Sequence, residues 1–122
     1  MSPGCQREAS HAAAGKRFGV IATPGADPAW FGFVITVREG AGFTRTELQR
    51  YLEERKIETR ALFAGNLLRH PAFLNIPHRV CGGLGNTDRI TESTFFVGVY
   101  PGLDAPRLAH MVEAFRDFMK KR

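Results

Sequence analysis

Two rhythms of apolar and polar positions alternate along this chain. Residues 30–37 (WFGFVITV) are almost continuously apolar and rich in aromatic and β-branched side chains. Such a run predicts a strand covered on both faces, by helices or by another domain. The rhythm then changes. Leu48, Tyr51 and Leu52 recur at helical spacing after Thr44-Arg45-Thr46-Glu47, a capping box that opens a helix running to about Arg55. Residues 57–63 (IETRALF) predict the next strand, and residues 94–100 (TFFVGVY) a third, closed by Pro101-Gly102. Asp104 is placed to cap a last helix, in which Leu108, Met111, Val112, Phe115, Phe118 and Met119 step by three and four. That stripe is core packing rather than a cofactor site.

Between these elements the chain is punctuated. Residues 23–28 (TPGADP) form a turn cluster, while Pro71, Pro77, Gly82, Gly83 and Gly85 keep the stretch between the second and third strands irregular. Asn86 or Thr87 can cap a short helix reaching about Glu92. Residues 1–17 are small, polar and aperiodic, and read as a disordered lead-in. The element order predicts an α+β fold: a small antiparallel or mixed sheet backed by two long helices.

Composition narrows this picture only a little. With 122 residues the chain suits one domain. No apolar run approaches the roughly 20 residues of a membrane span, and the first residues lack the apolar core of a signal peptide. A soluble cytoplasmic protein is expected. The net charge of +5 is carried mostly by arginine, which suits phosphate or carboxylate ligands. No dense basic block or RNA-binding signature accompanies it, so nucleic acid is not an expected partner. Cys5 and Cys81 stand apart and read as reduced thiols.

Candidate chemistry is sparse. His11, His70, His78 and His110 show no metal-ligand spacing. His70 and His78, beside prolines in the long loop, could serve as general bases, although loop histidines are more often structural. Residues 81–87 (CGGLGNT) lead toward a helix start, but they lack the lysine of a P-loop and the spacing of a dinucleotide fingerprint. No complete active site is legible, which leaves a free-standing α+β binding module open as a reading.

Four stretches taken together carry more. Residues 28–39 (PAWFGFVITVRE), 57–73 (IETRALFAGNLLRHPAF), 85–90 (GNTDRI) and 94–103 (TFFVGVYPGL) resemble the C-terminal part of the DegT-type sugar aminotransferase family. More narrowly they resemble its dehydratase branch, the CDP-4-keto-6-deoxyglucose 3-dehydrases of deoxysugar and lipopolysaccharide O-antigen biosynthesis. The resemblance runs from about Ala22 to Met119, and implies a lead-in over residues 1–21 and a small domain over 22–122. An ordinary sugar aminotransferase of the same family is the alternative.

The resemblance implies fold type I pyridoxal phosphate (PLP) enzymes, usually dimers, in which a large cofactor domain precedes a small α+β domain. The dehydrases use pyridoxamine phosphate (PMP), a histidine in place of the Schiff-base lysine, an iron-sulfur centre and a reductase partner. The residues for those functions belong upstream of the part that matches, so no cofactor is expected on this chain alone. A nucleotide sugar is the implied substrate. The small domain closes over the cleft, and the segment after the second predicted strand would face it. Arg60, Asn66, Arg69 and His70 are the candidate substrate-binding residues. Trp30 and Phe31 are expected at the junction with the large domain. A chain isolated from that domain is expected to be folded but adhesive.

Overall fold

The computed structural model describes residues 18–19, 25, 27 and 29–122. The lead-in expected over residues 1–17 lies outside the described residues. The elements are β1 (Phe18–Gly19), β2 (Gly32–Val37), α1 (Arg45–Glu54), β3 (Thr59–Ala61), α2 (Gly85–Ser93), β4 (Thr94–Gly98) and α3 (Ala105–Lys120). Two single 3₁₀ turns, Leu67–Arg69 and Pro71–Phe73, lie between β3 and α2. The four strands pair in the order β1-β2-β4-β3, antiparallel throughout. The expected α+β layer is the fold found, and its sheet is antiparallel rather than mixed.

Local chemistry accounts for the helix starts. The Thr44 hydroxyl accepts from the Glu47 amide at 3.2 Å, and the Glu47 carboxylate accepts from the Thr44 amide at 2.7 Å. Both otherwise orphaned donors are satisfied, which is the capping box expected there. At α3 the Asp104 carboxylate accepts from the Arg107 amide at 3.0 Å, with Pro106 in the first turn where no amide hydrogen is needed. The α2 helix departs from expectation. Leu84 occupies its cap position without a side-chain bond, and Asn86 and Thr87 lie inside the helix.

The strands are shorter than the runs that announced them. β2 starts at Gly32 rather than Trp30, and β4 ends at Gly98 rather than Tyr100. The run 57–63 yields only Thr59–Ala61. There the Phe63 amide donates to the Ala61 carbonyl at 2.8 Å, closing a three-residue turn that ends the strand. Phe18–Gly19, within the stretch set aside as a lead-in, pairs with Val37 and Thr36 as an edge strand. Two residues are too few to leave a pattern.

Register sorts the side chains. Phe33 pairs with Val97 and Ile35 with Phe95, and these face α1 and α3. Leu48, Leu52, Ala114 and Phe118 close over them, while Phe118 takes the rings of Phe43 and Tyr51 edge-on at 4.9 and 5.0 Å. Ile35, Leu48, Leu52 and Phe95 are at most 1% exposed. Of the predicted stripe on the last helix, Phe118 is buried, and Met111, Phe115 and Met119 pack partly buried against it. The other face carries Val34, Thr36, Thr94 and Phe96, with the two threonine hydroxyls 2.9 Å apart. Gly32 is what lets Phe96 lie across β2: a Cβ there would meet the Phe96 ring at 2.5 Å. No helix among the described residues is long and apolar enough to cross a membrane.

Candidate functional site

The segment that leaves β3 turns back on itself and docks on α2. Asn66 is the pivot. Its backbone amide donates to the Thr91 hydroxyl at 2.7 Å, its side-chain nitrogen donates to Asp88 at 2.6 Å, and its side-chain oxygen accepts from the Leu68 amide at 3.0 Å. With 4% of its surface exposed, Asn66 spends its polar atoms inside the fold. Gly65 before it has φ +60°, and a Cβ there would lie 2.5 Å from the Thr91 hydroxyl. Only glycine fits that contact.

Arg69 grips the same carboxylate with two bonds, Nε to Oδ1 at 3.1 Å and Nη2 to Oδ2 at 2.9 Å. The Arg69 fork first, and the Asn66 amide after it, pull the Asp88 carboxyl down to about 2, while Asp88 raises the Arg69 guanidinium. The sequence-predicted residues Asn66 and Arg69 thus come together, but on Asp88. His70 follows, its Nε2 donating to the Ala64 carbonyl at 2.5 Å. Since a carbonyl only accepts, Nε2 carries the hydrogen in this contact. Arg60 stands apart on the strand, exposed and held by Glu58 at 2.6 Å; such a surface pair contributes about 0–1 kcal/mol.

A cleft of about 180 Å³ opens where this segment meets α1 and α2, bordered by Arg45, Phe63, Gly65, His70, Ile90 and Thr91. Arg45 donates through Nη1 to the Thr91 carbonyl at 2.7 Å and to the Thr94 carbonyl at 3.3 Å, and so caps the end of α2. Sequence reasoning picked out His70 on this rim and missed Arg45, Ile90, Thr91 and the Asp88 anchor. Asp88 stood inside the GNTDRI stretch, but nothing local linked it to Asn66, 22 residues away.

The cleft does not by itself fit PLP. No lysine borders it, and the buried polar residues among those described are Thr59, Asn66 and Thr94, with no carboxylate for a pyridine nitrogen. Among the described residues no three His, Cys, Asp or Glu side chains cluster as metal ligands, and Cys81 is a free, exposed thiol.

A small antiparallel sheet with helices on one face and a docked loop on its edge defines an α+β domain. Residues 11–116 match the pattern of the DegT/DnrJ/EryC1/StrS aminotransferase family, and the chain belongs to that family. It is 53% identical over 97 residues to the lipopolysaccharide biosynthesis protein RfbH of Salmonella typhimurium, covering 80% of this chain and 22% of that protein. It is 48% identical over 101 residues to a dTDP-4-dehydro-2,6-dideoxy-D-glucose 3-dehydratase of Saccharopolyspora spinosa, covering 83% and 22%. The fold is shared with the E. coli GDP-4-keto-6-deoxy-D-mannose-3-dehydratase solved with bound hydrated PLP: TM-score 0.66 and 20% identity, over 94% of this chain and 29% of that one. The chain thus spans about a fifth of the length of the curated relatives it matches.

Proposed function

We propose that this chain is the C-terminal small domain of a PLP- or PMP-dependent nucleotide-sugar 3-dehydratase acting in deoxysugar or lipopolysaccharide biosynthesis, and that it is inactive by itself. The observation that carries this reading is the 48% identity to a sugar 3-dehydratase across the region that holds the sheet and the cleft. On this reading the rest of the enzyme brings the cofactor, the proton-transferring histidine and the iron-sulfur centre, and works in the cytoplasm with a dimer mate and a reductase. The small domain brings a substrate-facing edge, where Arg60, Arg69 and His70 lie within reach of an oxygen-rich ligand and Asn66 holds the edge in shape. The exposed rings of Phe31 and Phe63 support a contact with the absent domain, because apolar surface of this kind is normally covered.

A chimera tests the proposal. Residues 22–122 would replace the matching stretch of the Saccharopolyspora 3-dehydratase, and the product would be assayed for loss of the C3 hydroxyl from a 4-keto-6-deoxy nucleotide sugar. Turnover is expected. A chimera that folds and retains PLP yet leaves the sugar untouched overturns the reading. The family's aminotransferase name favours a second reading, the small domain of a sugar aminotransferase. The reading frame upstream of Met1 separates the two: a histidine at the Schiff-base position supports the dehydratase, a lysine the aminotransferase.

A further inference from the structure

Residues 71–83 are exposed without a break. Among the described residues, no hydrogen bond or ion pair links them to the domain beyond His70. Their bonds are local: the Phe73 amide donates to the His70 carbonyl at 2.9 Å, the Ile76 amide to the Phe73 carbonyl at 3.3 Å, and His78 Nδ1 to the Ile76 carbonyl at 2.7 Å. The base of the loop is held instead. Asn66 and Arg69 before it clasp Asp88 after it. A surface loop closed at its base in this way is frequently functional.

The body and the far end of the loop differ in stiffness. Pro71 and Pro77 fix the backbone of the body, and Pro71–Phe73 is a 3₁₀ turn. The far end is Gly82-Gly83-Leu84-Gly85. Gly82 has φ +76°, which calls for glycine. Gly83 and Gly85 have no such reason: neither lies in the left-handed region, and a Cβ at either would meet nothing within 4 Å. Alanine would suit the conformation seen and would lose less freedom on folding. Two glycines that this conformation does not require mark a hinge, where a few residues absorb the backbone change of a moving segment.

The hinged body carries apolar side chains that lack cover. Phe73, Leu74, Ile76 and Val80 are 39–58% exposed. Near its base stand Ile90, 40% exposed, and Phe63, 77% exposed. Phe63 has a left-handed backbone, φ 51°, a costly state for a bulky residue. His70 connects the two sets. It borders the same cleft as Phe63 and Ile90, and its ring centroid lies 6.5 Å from that of Phe73. Bare apolar surface on both sides of one hinge favours the conformation that brings the sides together.

We infer that residues 71–83 are a hinged flap. This structure shows it open. Swinging at Gly82–Gly85, it closes with Phe73 and Leu74 over Phe63 and Ile90. Closure takes Phe63 out of solvent, so a partner that uses that ring meets it only while the flap is open. The flap does not depend on the dehydratase reading.

The test is NMR relaxation dispersion on the isotopically labelled 122-residue chain. Exchange on the microsecond-to-millisecond scale of hinge motions is expected at the amides of residues 71–85, the Phe63 ring and the Ile90 methyl groups, with α3 quiet. The double variant Gly83→Ala, Gly85→Ala keeps the open conformation, so Tm should not fall, while the stiffer hinge slows exchange several-fold. Leu74→Ser removes a side chain that only closure buries, and should lower the closed population several-fold at unchanged Tm. Three results would each overturn the flap: no exchange over residues 71–85, exchange undiminished in either variant, or exchange that leaves Phe63 and Ile90 untouched. A double variant that fails to fold would overturn it as well, because the glycines would then serve the static structure.

Discussion

Phe95 and Phe96 are neighbours on β4 and meet opposite surroundings. Phe95 points into the layer between sheet and helices and is wholly enclosed, with Ile35, Leu48 and Leu52 around the same core. Phe96 points the other way, 8% exposed, with the rings of Phe31 at 5.8 Å and Phe63 at 6.3 Å beside it. Those rings are themselves 75% and 77% exposed. The helix-backed face is closed by elements whose capping and periodicity are local to the sequence. Among the described residues the opposite face stops one layer short, at rings that stay mostly exposed. One face makes the domain fold; the other is available for contact.

Substitutions at the two faces should separate these roles. The largest effect is expected for Phe95→Ala, a loss of about 3–5 kcal/mol in denaturant unfolding, from lost burial and the cavity left behind. Next comes the docked loop between the faces. Gly65→Ala would force a Cβ onto Thr91 at a positive φ and should cost about 1–3 kcal/mol. If it unfolds no more easily than the parent, the loop is not held on α2 as described.

Acid should loosen the same loop. The folded-state carboxyl of Asp88 lies at about 2, against 3.8 for an ordinary aspartate. Between those values the unfolded chain binds more protons than the folded one, so stability rises with pH. The contribution is present above about pH 4 and is lost as pH falls toward 2. Comparing unfolding midpoints over that window, Asp88→Asn should flatten the slope; an unchanged slope would show that the Arg69 grip is not made in solution. The smallest effect is expected for Phe31→Ala, within about 0.5 kcal/mol of the parent. A loss comparable to that of Phe95→Ala would abolish the distinction between the faces.

How much could be read in advance follows the same division. The Thr44–Glu47 box and the Asp104 cap were legible because each is completed within three residues. The order of elements and the helix-facing core followed from periodicity. The end of β3 was not legible, because residues 61–63 stay apolar through Phe63 while the backbone has already turned after Ala61. Nothing in a phenylalanine announces a left-handed backbone. Asn66 was singled out as a sugar contact, yet its side chain is taken by Leu68 and Asp88. The bond to Leu68 is a local capping habit of asparagine; the bond to Asp88 exists only once α2 is in place. Arg45 was read merely as the second residue of a capping box, and its service to the end of α2 needed the fold.

The lengths of the outer strands carry one more consequence. Among the described residues the sheet ends on one side in the two residues of β1 and on the other in the three of β3. Such stubs offer few free backbone groups to an incoming strand, a common protection against fibre growth. Self-association of the purified chain should therefore proceed through the exposed rings rather than by strand addition. Clumps of that kind would dissolve in mild detergent, fail to bind amyloid dyes and seed nothing.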